Sequence, residues 1–402
     1  MQIIKAPYIL TPDKIIKDSQ IAFEKRVVEI GKNLEEKYPK ATVTEYKDCA
    51  VMPGFCNPHL HLEFSANRAT LSYGDFLIWL RSVIAHRESL VPKCDRECLQ
   101  NSVKEIIKSG TTTIGAISSF GEDLETLVRA PLNVAYFSEI IGSNPAAADV
   151  LYSDFLERFY RAKKYESERF KSCVAVHSPY SVHYILAKKA LEVAKKHDAL
   201  TSTHFMESRA EREWLDRGEG DFKDFFKEFL NQSAPANRPM EFLQLFEGLK
   251  TLFVHAVWAN EEELEIISRQ KAFVIHCPVS NRLLGNGVLD LDRLKRFDIP
   301  YSLATDGLSS NYSLNMFEEL KAALFIHPQK PIVPFAKELI VKSTSFATDM
   351  GFNSGILKEG MDADMQVVEI PQDLSVEEEI YLHIILHTTR PKSVYLKGVK
   401  YE

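Results

Sequence analysis

The chain has 402 residues, of which 45% are hydrophobic and 26% charged, as is ordinary for a protein with a buried core. Its formal net charge of −7 disfavours nucleic acid and anionic membranes as partners, because both are bound through basic surfaces. No apolar run is long enough to cross a bilayer, and the first residues lack an export signal, so we expect a cytoplasmic protein. Six scattered cysteines fit reduced thiols in that compartment.

Short strands are predicted at both ends of the chain. Residues 1–52 contain apolar runs, such as 21–23 and 27–30, that are separated by lysine-rich turns. Residues 364–370 and 393–396 have the same strand-like character near the other end. We therefore predict a small β-sandwich domain that is formed by residues 1–52 together with residues 346–402.

Between these ends, short apolar runs alternate with amphipathic helical stretches. This alternation is typical of a parallel sheet, and eight candidate strands predict an α/β fold, a TIM-like (β/α)₈ barrel over residues 53–345. The candidate strands are residues 51–52, 112–115, 133–137, 173–176, 200–203, 252–254, 272–275 and 301–304. The polar stretch 218–239 interrupts the pattern, and the sequence leaves open whether it covers the barrel as a lid.

Polar residues with metal-binding or proton-transferring side chains follow most of these strands. The active sites of such barrels lie at the carboxyl ends of the strands, so these side chains should meet on one rim. The residues in question are His59, His61, His177, His204, His255, His276 and Asp306. An isolated H-x-H pair arises by chance in a chain with 12 histidines, but a scatter of histidines would not follow strand ends.

Four of these residues make a plausible metal site. His59 and His61 are two residues apart, so in an extended strand both rings point to the same side. With His204 and Asp306 they supply three imidazoles and one carboxylate, which suit one divalent cation. We predict zinc, with iron as the open alternative. The cation would acidify a bound water and make it a nucleophile at neutral pH.

Glu207, His255 and Asp306 are the predicted catalytic residues. Glu207 lies three residues after His204 and could move protons as a general acid and base; the alternative is a solvated surface glutamate. His255 and Asp306 could orient the attacking water, and His255 could instead be a core histidine. His177 and His276 could each contact the substrate or simply support a neighbouring loop.

With these residues in place, the sequence resembles the amidohydrolase superfamily over nearly its whole length. The pieces that carry the resemblance are 53–55 leading into His59-Leu60-His61, then His204-Phe205-Met206-Glu207, His255, residues 276–281 and Thr305-Asp306-Gly307. The H-x-x-E spacing is similar to the branch that deaminates nucleobases and nucleosides, generally with one metal ion. The resemblance therefore implies a hydrolytic deaminase with an adenine-nucleoside-like small molecule as its substrate.

Longer phrases resemble the aminodeoxyfutalosine deaminase family of the menaquinone pathway. They are residues 71–76, 176–182, 202–208, 278–284 and 304–311. The resemblance implies conversion of aminodeoxyfutalosine to futalosine and ammonia. Arg282 would then be a candidate partner for the substrate carboxylate, and Trp79 could stack on an aromatic ring. The alternatives for these two residues are a surface arginine and ordinary helix packing.

Three other functions stay open from the sequence. A deaminase of S-adenosylhomocysteine, methylthioadenosine or adenosine would share the whole metal site. A hydrolase of amides or triazines could use the same scaffold. A non-catalytic scaffold protein would have gaps among the ligands, whereas this chain has all of them. The sequence also leaves a homodimer open.

Overall fold

The computed structural model describes residues 1–68, 70–90, 93–371, 374 and 376–401. In chain order its strands are β1 (Gln2–Leu10), β2 (Ile15–Phe23), β3 (Val27–Gly31), β4 (Thr42–Glu45), β5 (Cys49–Pro53), β6 (Phe55–Leu60), β7 (Thr111–Ser118), β8 (Asn133–Ile140), β9 (Phe170–Val176), β10 (Thr201–Phe205), β11 (Thr251–His255), β12 (Phe273–His276), β13 (Tyr301–Leu303), β14 (Met365–Glu369), β15 (Ser393–Leu396) and β16 (Val399–Tyr401).

The helices alternate with the strands in the middle of the chain. They are α1 (Leu34–Lys37), α2 (Phe76–Leu90), α3 (Arg96–Lys108), α4 (Leu124–Arg129), α5 (Ala148–Lys163), α6 (Tyr184–His197), α7 (Arg209–Arg217), α8 (Asp221–Leu230), α9 (Pro239–Gln244), α10 (Glu261–Arg269), α11 (Pro278–Leu283), α12 (Leu291–Arg296), α13 (Met316–Ile326), α14 (Ile332–Asp349) and α15 (Ile380–His387). Short 3₁₀ helices span Leu62–Asn67, Pro145–Ala147 and Glu377–Glu379.

Strands β6 to β13 form an eight-stranded parallel sheet in chain order. The backbone N–H of Asp306 donates to the carbonyl of His59 at 3.1 Å, and the N–H of Thr305 donates to the side chain of Asn57 at 3.1 Å. These hydrogen bonds join the end of β13 to β6, so the sheet curls into a nearly closed barrel. The predicted (β/α)₈ architecture is confirmed.

The first barrel strand differs from its prediction. Residues 51–52 belong to β5, which pairs with β1 and β14, whereas the barrel begins with β6. The sequence did not predict β6 as a strand, because its residues Asn57, Pro58 and His59 are typical of a polar loop. Asn57 can be buried because Thr305 satisfies its side chain, as its amide donates to the Thr305 hydroxyl at 2.7 Å.

Both chain ends contribute to a second, separate sheet. Its strand order is β16-β15-β14-β5-β1-β2-β3, with β4 paired to β1. Helix α14 runs through residue 346 without a break, so the boundary predicted at 346 lies inside a helix. Helix α15, which follows this boundary, shares an apolar cluster with α14. The division into two domains stays a prediction. Within the described residues, no helix combines the length and apolarity that a bilayer crossing requires.

Candidate active site

Four side chains from opposite parts of the chain converge at the carboxyl end of the barrel. His59 lies near the end of β6 and His61 just after it, while His204 lies in β10 and Asp306 follows β13. One ligand atom of each lies within 4.8 Å of the others. The two Nε2 atoms of His59 and His61 are 3.2 Å apart, and they lie 3.6 and 3.5 Å from Oδ1 of Asp306.

The pKa values of His61, His204 and Asp306 are shifted in the directions that favour metal binding. Burial lowers the pKa of His61 to about 4, helped by the neighbouring His59, and burial also holds the pKa of His204 well below its usual value. Burial alone would raise the pKa of Asp306, but its hydrogen bond with His59 and the surrounding histidines bring it well below the ordinary range. Neutral imidazoles and an ionised carboxylate are the forms that ligate cations.

Groups outside the cluster fix the orientation of its members. Oδ2 of Asp306 accepts hydrogen bonds from the hydroxyls of Ser280 and Ser310, each at 2.8 Å, and Oδ1 accepts one from the N–H of Gly307 at 2.8 Å. Nδ1 of His204 lies 2.8 Å from the carbonyl of His177. This contact leaves Nε2 of His204 for the cluster. The donor set and its supports therefore fit a divalent cation.

Glu207 is buried beside this cluster. Its Oε1 lies 3.6 Å from Nε2 of His255 and accepts a hydrogen bond from the side chain of Asn286 at 3.0 Å. Burial raises the pKa of Glu207 well above its usual value, and the negative charges of Asp306 and Glu211 add to this effect. The surface alternative considered for Glu207 does not describe this environment, since the side chain is almost fully buried.

The backbone carries unusual conformations at the strand ends of the site. Met206, His255 and Asp306 have φ angles of 51°, 71° and 59°, in the left-handed region that side chains with a Cβ rarely occupy. Glu211 supports one of these corners, because its carboxylate accepts the N–H groups of Met206 and Glu207 at 3.0 and 2.8 Å. Such strain is characteristic of sites that must hold side chains in fixed positions.

A cavity of about 590 Å³ opens above the cluster. Of the residues predicted for the site, Trp79, His177, Glu207 and His255 line it together with His61, His204 and Asp306. Nε1 of Trp79 donates to the carbonyl of Ser309 at 2.7 Å. Helix α8, which lies inside the 218–239 segment, contributes apolar side chains to the lining. The cavity thus combines a polar floor with apolar walls.

Two predicted substrate contacts lie outside this cavity. Arg282 is exposed on α11 and does not line the cavity. Its neighbours Ser280 and Asn281 are buried and contact Asp306 and His255. His276 is fully buried, and its Nε2 faces Nε2 of His327 at 3.2 Å. The structure therefore gives no support to Arg282 as a carboxylate partner or to His276 as a substrate contact.

Sequence reasoning did not identify several polar residues of the site. Asn281 contacts Nδ1 of His255 at 2.9 Å, and Asn286 holds Glu207. Glu139 lines the cavity from the end of β8, and the carboxylate of Glu63 accepts backbone N–H groups of residues 119, 120 and 122. The signal for Glu139 was present, since it is a polar residue at a strand end. Glu63, Asn281 and Asn286 stand in loops or helices without such a signal.

Comparison with known proteins agrees with this geometry. The sequence model of the Amidohydrolase family matches residues 50–399. The chain belongs to the amidohydrolase family. This amidohydrolase is 60% identical to the aminodeoxyfutalosine deaminase of a Nitratiruptor species over 401 residues, which cover 99% of this chain and 98% of that protein.

Relatives from Helicobacter pylori are similar to this amidohydrolase over nearly the same length. It is 34% identical to a protein named adenosine deaminase, over 96% of this chain and 95% of that protein. A crystal structure of H. pylori aminofutalosine deaminase in complex with methylthio-coformycin superimposes with a TM-score of 0.95 at 33% identity, and both chains are covered completely.

Proposed function

We propose that this amidohydrolase hydrolytically deaminates aminodeoxyfutalosine and releases futalosine and ammonia. The observation that carries the proposal is the buried Glu207 carboxyl, which points into the cavity beside the cluster of three histidines and an aspartate. The resemblance to the Nitratiruptor deaminase supports the choice of substrate, because it extends over 99% of this chain.

We infer that His59, His61, His204 and Asp306 hold one divalent cation, and that this cation is zinc. Three nitrogen ligands and one carboxylate oxygen are a donor set that zinc prefers in catalytic sites. When bound, a cation of this kind makes water acidic enough to act as a nucleophile near neutral pH.

Glu207 moves the protons of the reaction. Its raised pKa keeps a proton available, which it donates to the ring nitrogen beside the amino-bearing carbon as water adds there. The carboxylate then takes one proton of the water and passes it to the amino group, which leaves as ammonia. As the carbonyl forms, Glu207 takes the remaining hydroxyl proton and so returns to its starting state. His255 faces Oε1 of Glu207 at 3.6 Å and, with Asp306, orients the water. The net change is one water consumed and one ammonia released.

The walls of the cavity fit a substrate that has an apolar extension beyond its nucleoside. Helix α2 contributes Trp79, Leu80 and Val83, and helix α8 contributes aromatic residues, of which Phe229 is 42% exposed. Apolar side chains that stay exposed around a cavity are typical of ligand-binding surfaces. Aminodeoxyfutalosine would place its second aromatic ring against such a wall, whereas adenosine has no group to fill it.

The substrate proposal is tested with purified, metal-loaded protein. Aminodeoxyfutalosine, adenosine, S-adenosylhomocysteine, methylthioadenosine, guanine and cytosine are supplied in turn, and ammonia release is followed with the absorbance change from adenine to hypoxanthine. We expect the highest kcat/KM for aminodeoxyfutalosine. Efficient turnover of adenosine or S-adenosylhomocysteine with none of aminodeoxyfutalosine would refute this choice.

Deamination of adenosine itself is the second candidate, because a relative with that name is 34% identical over most of this chain. The substrate panel separates the two candidates directly. A place in menaquinone biosynthesis and a cytoplasmic location follow from the aminodeoxyfutalosine proposal, and both would lapse with it. Metal analysis of the same preparation distinguishes an enzyme from a scaffold, since the proposal requires about one zinc ion per chain.

A further inference from the structure

Asn286 is a buried side chain that contacts the residue proposed to move protons. Its Nδ2 donates to Oε1 of Glu207 at 3.0 Å, and the residue is only 2% exposed. Asn286 does not line the cavity, so it touches Glu207 without reaching the space that a substrate would fill. Any effect of Asn286 on the reaction must therefore pass through a neighbouring side chain.

Hydrogen bonds of the backbone hold Asn286 in place. Its N–H donates to the carbonyl of Asn281 at 2.9 Å, and its own carbonyl accepts a hydrogen bond from Nε1 of Trp258 at 2.7 Å. Trp258 follows β11, and its N–H donates to the carbonyl of Met206, the residue before Glu207, at 2.9 Å. Asn286 and Glu207 are thus joined twice, once through their side chains and once through Trp258.

The two glycines that flank Asn286 restrict its loop further. Gly285 and Gly287 have φ angles of 71° and 101°, which side chains with a Cβ rarely adopt. A Cβ atom at Gly285 would stand 2.6 Å from the carbonyl oxygen of Gly74. Because the loop packs this closely, Nδ2 of Asn286 is a donor with little freedom to move.

The contact makes the two carboxyl oxygens of Glu207 different. Oε1 accepts the hydrogen bond from Asn286 and lies 3.6 Å from Nε2 of His255. None of the described residues donates a hydrogen bond to Oε2. In a protonated carboxyl group, an N–H donor pairs with the carbonyl oxygen and leaves the proton on the other oxygen. The contact therefore favours Oε2 as the oxygen that donates and recovers the proton.

A purely structural role is a poorer account of this side chain. Oδ1 of Asn286 is buried and has no hydrogen-bond partner among the described residues. A buried amide oxygen without a donor lowers the stability of the folded protein. The position of the amide thus satisfies Glu207 at the expense of its own oxygen.

We propose that Asn286 is a positioning residue that orients Glu207 toward the substrate and leaves the transferred proton on Oε2. This inference rests on the proposed function, in which Glu207 moves the protons of the reaction. Asn286 neither lines the cavity nor belongs to the predicted ligand set. It therefore acts on the chemical step, and substrate binding and zinc binding do not depend on it.

The first experiment measures steady-state kinetics and zinc content of Asn286→Leu with aminodeoxyfutalosine. Leucine is similar in size to asparagine but cannot donate a hydrogen bond. We expect kcat to fall by roughly 10- to 100-fold, with KM within about threefold of the wild-type value and an unchanged zinc content. The exposed Asn101 on α3 provides the matched control, and Asn101→Leu should keep the wild-type kcat.

The second experiment leaves Asn286 unchanged and removes its anchor. Phenylalanine in Trp258→Phe keeps an aromatic ring but lacks the N–H that holds the carbonyl of Asn286. Trp258 is 39% exposed, so this variant should fold. We expect a smaller fall in kcat, roughly 3- to 10-fold, again without a matching change in KM.

An unchanged kcat in Asn286→Leu overturns the inference, and so does a loss of zinc, which would place the effect at the metal site. If Asn286→Leu does not fold, Trp258→Phe decides: a lower kcat with unchanged KM supports the inference, and an unchanged kcat overturns it. A wild-type protein that deaminates neither aminodeoxyfutalosine nor adenosine contradicts the proposed function itself, and this result is seen before any variant is made.

Discussion

At the scale of single residues, the carboxyl groups of Glu207 and Asp306 line one cavity but have pKa values that are shifted in opposite directions. Burial raises the pKa of Glu207 well above its usual value, whereas hydrogen bonding and neighbouring histidines bring that of Asp306 well below it. Groups whose surroundings drive their pKa values apart are suited to different roles. A carboxyl group with a raised pKa is suited to proton transfer and one with a lowered pKa to binding a cation, which are the roles that we propose for Glu207 and Asp306.

The change Glu207→Gln should therefore separate chemistry from metal binding. Gln keeps the size of the side chain but cannot donate and recover a proton, so we expect kcat to fall by roughly 10²- to 10⁴-fold. Zinc content should stay at the wild-type value, because Glu207 is outside the predicted ligand set. The measurements are steady-state kinetics and metal analysis, with Glu262→Gln on the exposed face of α10 as the control. Near-normal turnover would remove Glu207 from the mechanism.

Glu319 should make the stability of the protein depend on pH. Burial raises its pKa to about 8, although hydrogen bonds from Asn311 and from the N–H of Val279 oppose the shift. In the unfolded chain the pKa is near the ordinary value of 4.5, so between these values the unfolded chain binds fewer protons. Raising the pH from about 4.5 to about 8 therefore lowers the contribution of Glu319 to the free energy of unfolding.

The comparison of wild type with Glu319→Gln tests this expectation. The variant cannot ionise, so its stability relative to wild type should rise by roughly 1.4 kcal/mol for each pH unit within that window. Urea unfolding at several pH values measures the difference. A difference that is constant from pH 5 to pH 8 would show that Glu319 is already ionised in the folded protein.

At the scale of elements, the close contact of β6 and β7 positions the metal site. Gly115 lies in β7, and a Cβ atom there would stand 2.0 Å from the carbonyl oxygen of Pro58, the residue before His59. The pairing of these two strands is irregular between Asn57 and Leu60. The glycine thus allows β6 to approach closely at the point where its histidine turns toward the cluster.

The change Gly115→Ala should weaken metal binding although it alters no ligand. The added methyl group must displace Pro58 and with it His59, so we expect zinc affinity to fall by about 10-fold or more. Zinc retention during dialysis against a chelator measures the effect. Gly31→Ala in β3 is the matched control, since its nearest contact would be an ordinary 3.6 Å from the side chain of Leu34. Equal retention in the two variants would contradict this view of β6.

Some helices, strands and site residues could be predicted from the sequence, and others could not. The barrel and the convergence of its histidines followed from polar residues at the ends of apolar strands, and the residues for β7 to β13 were placed correctly. The assignment of residues 51–52 was wrong because two strands adjoin with only Gly54 between them. The direction of Arg282 could not be predicted, since it depends on how the short helix α11 packs.

At the scale of the whole molecule, the sheet from the chain ends is packed directly against the barrel. On one face of β15, Val394 and Leu396 belong to the same apolar cluster as Leu60 and Ile114 of the barrel. On the other face, Tyr395 packs edge-on against Phe23 with ring centroids 5.5 Å apart. Alternate residues of one strand therefore stabilise both parts, and we expect them to unfold together.

The change Leu396→Ala should destabilise the entire protein. Removing a large side chain that is only 1% exposed costs about 2–5 kcal/mol, so calorimetry should show a single transition at a lower temperature. Val399→Ala in the neighbouring β16 is the control, because Val399 is 63% exposed and should have little effect. Two separate transitions, with only one of them shifted, would mean that the parts unfold independently.

The left-handed backbone at Met206, His255 and Asp306 limits how this scaffold can be redesigned. Glycine or asparagine tolerates such angles, whereas valine, isoleucine or threonine does not. If a mutant library intended to change substrate preference randomised these three positions, many of its variants would fail to fold. Amino-acid substitutions are better introduced along α2 and α8, because a helical backbone accepts most residue types. Side chains of these two helices line the cavity wall.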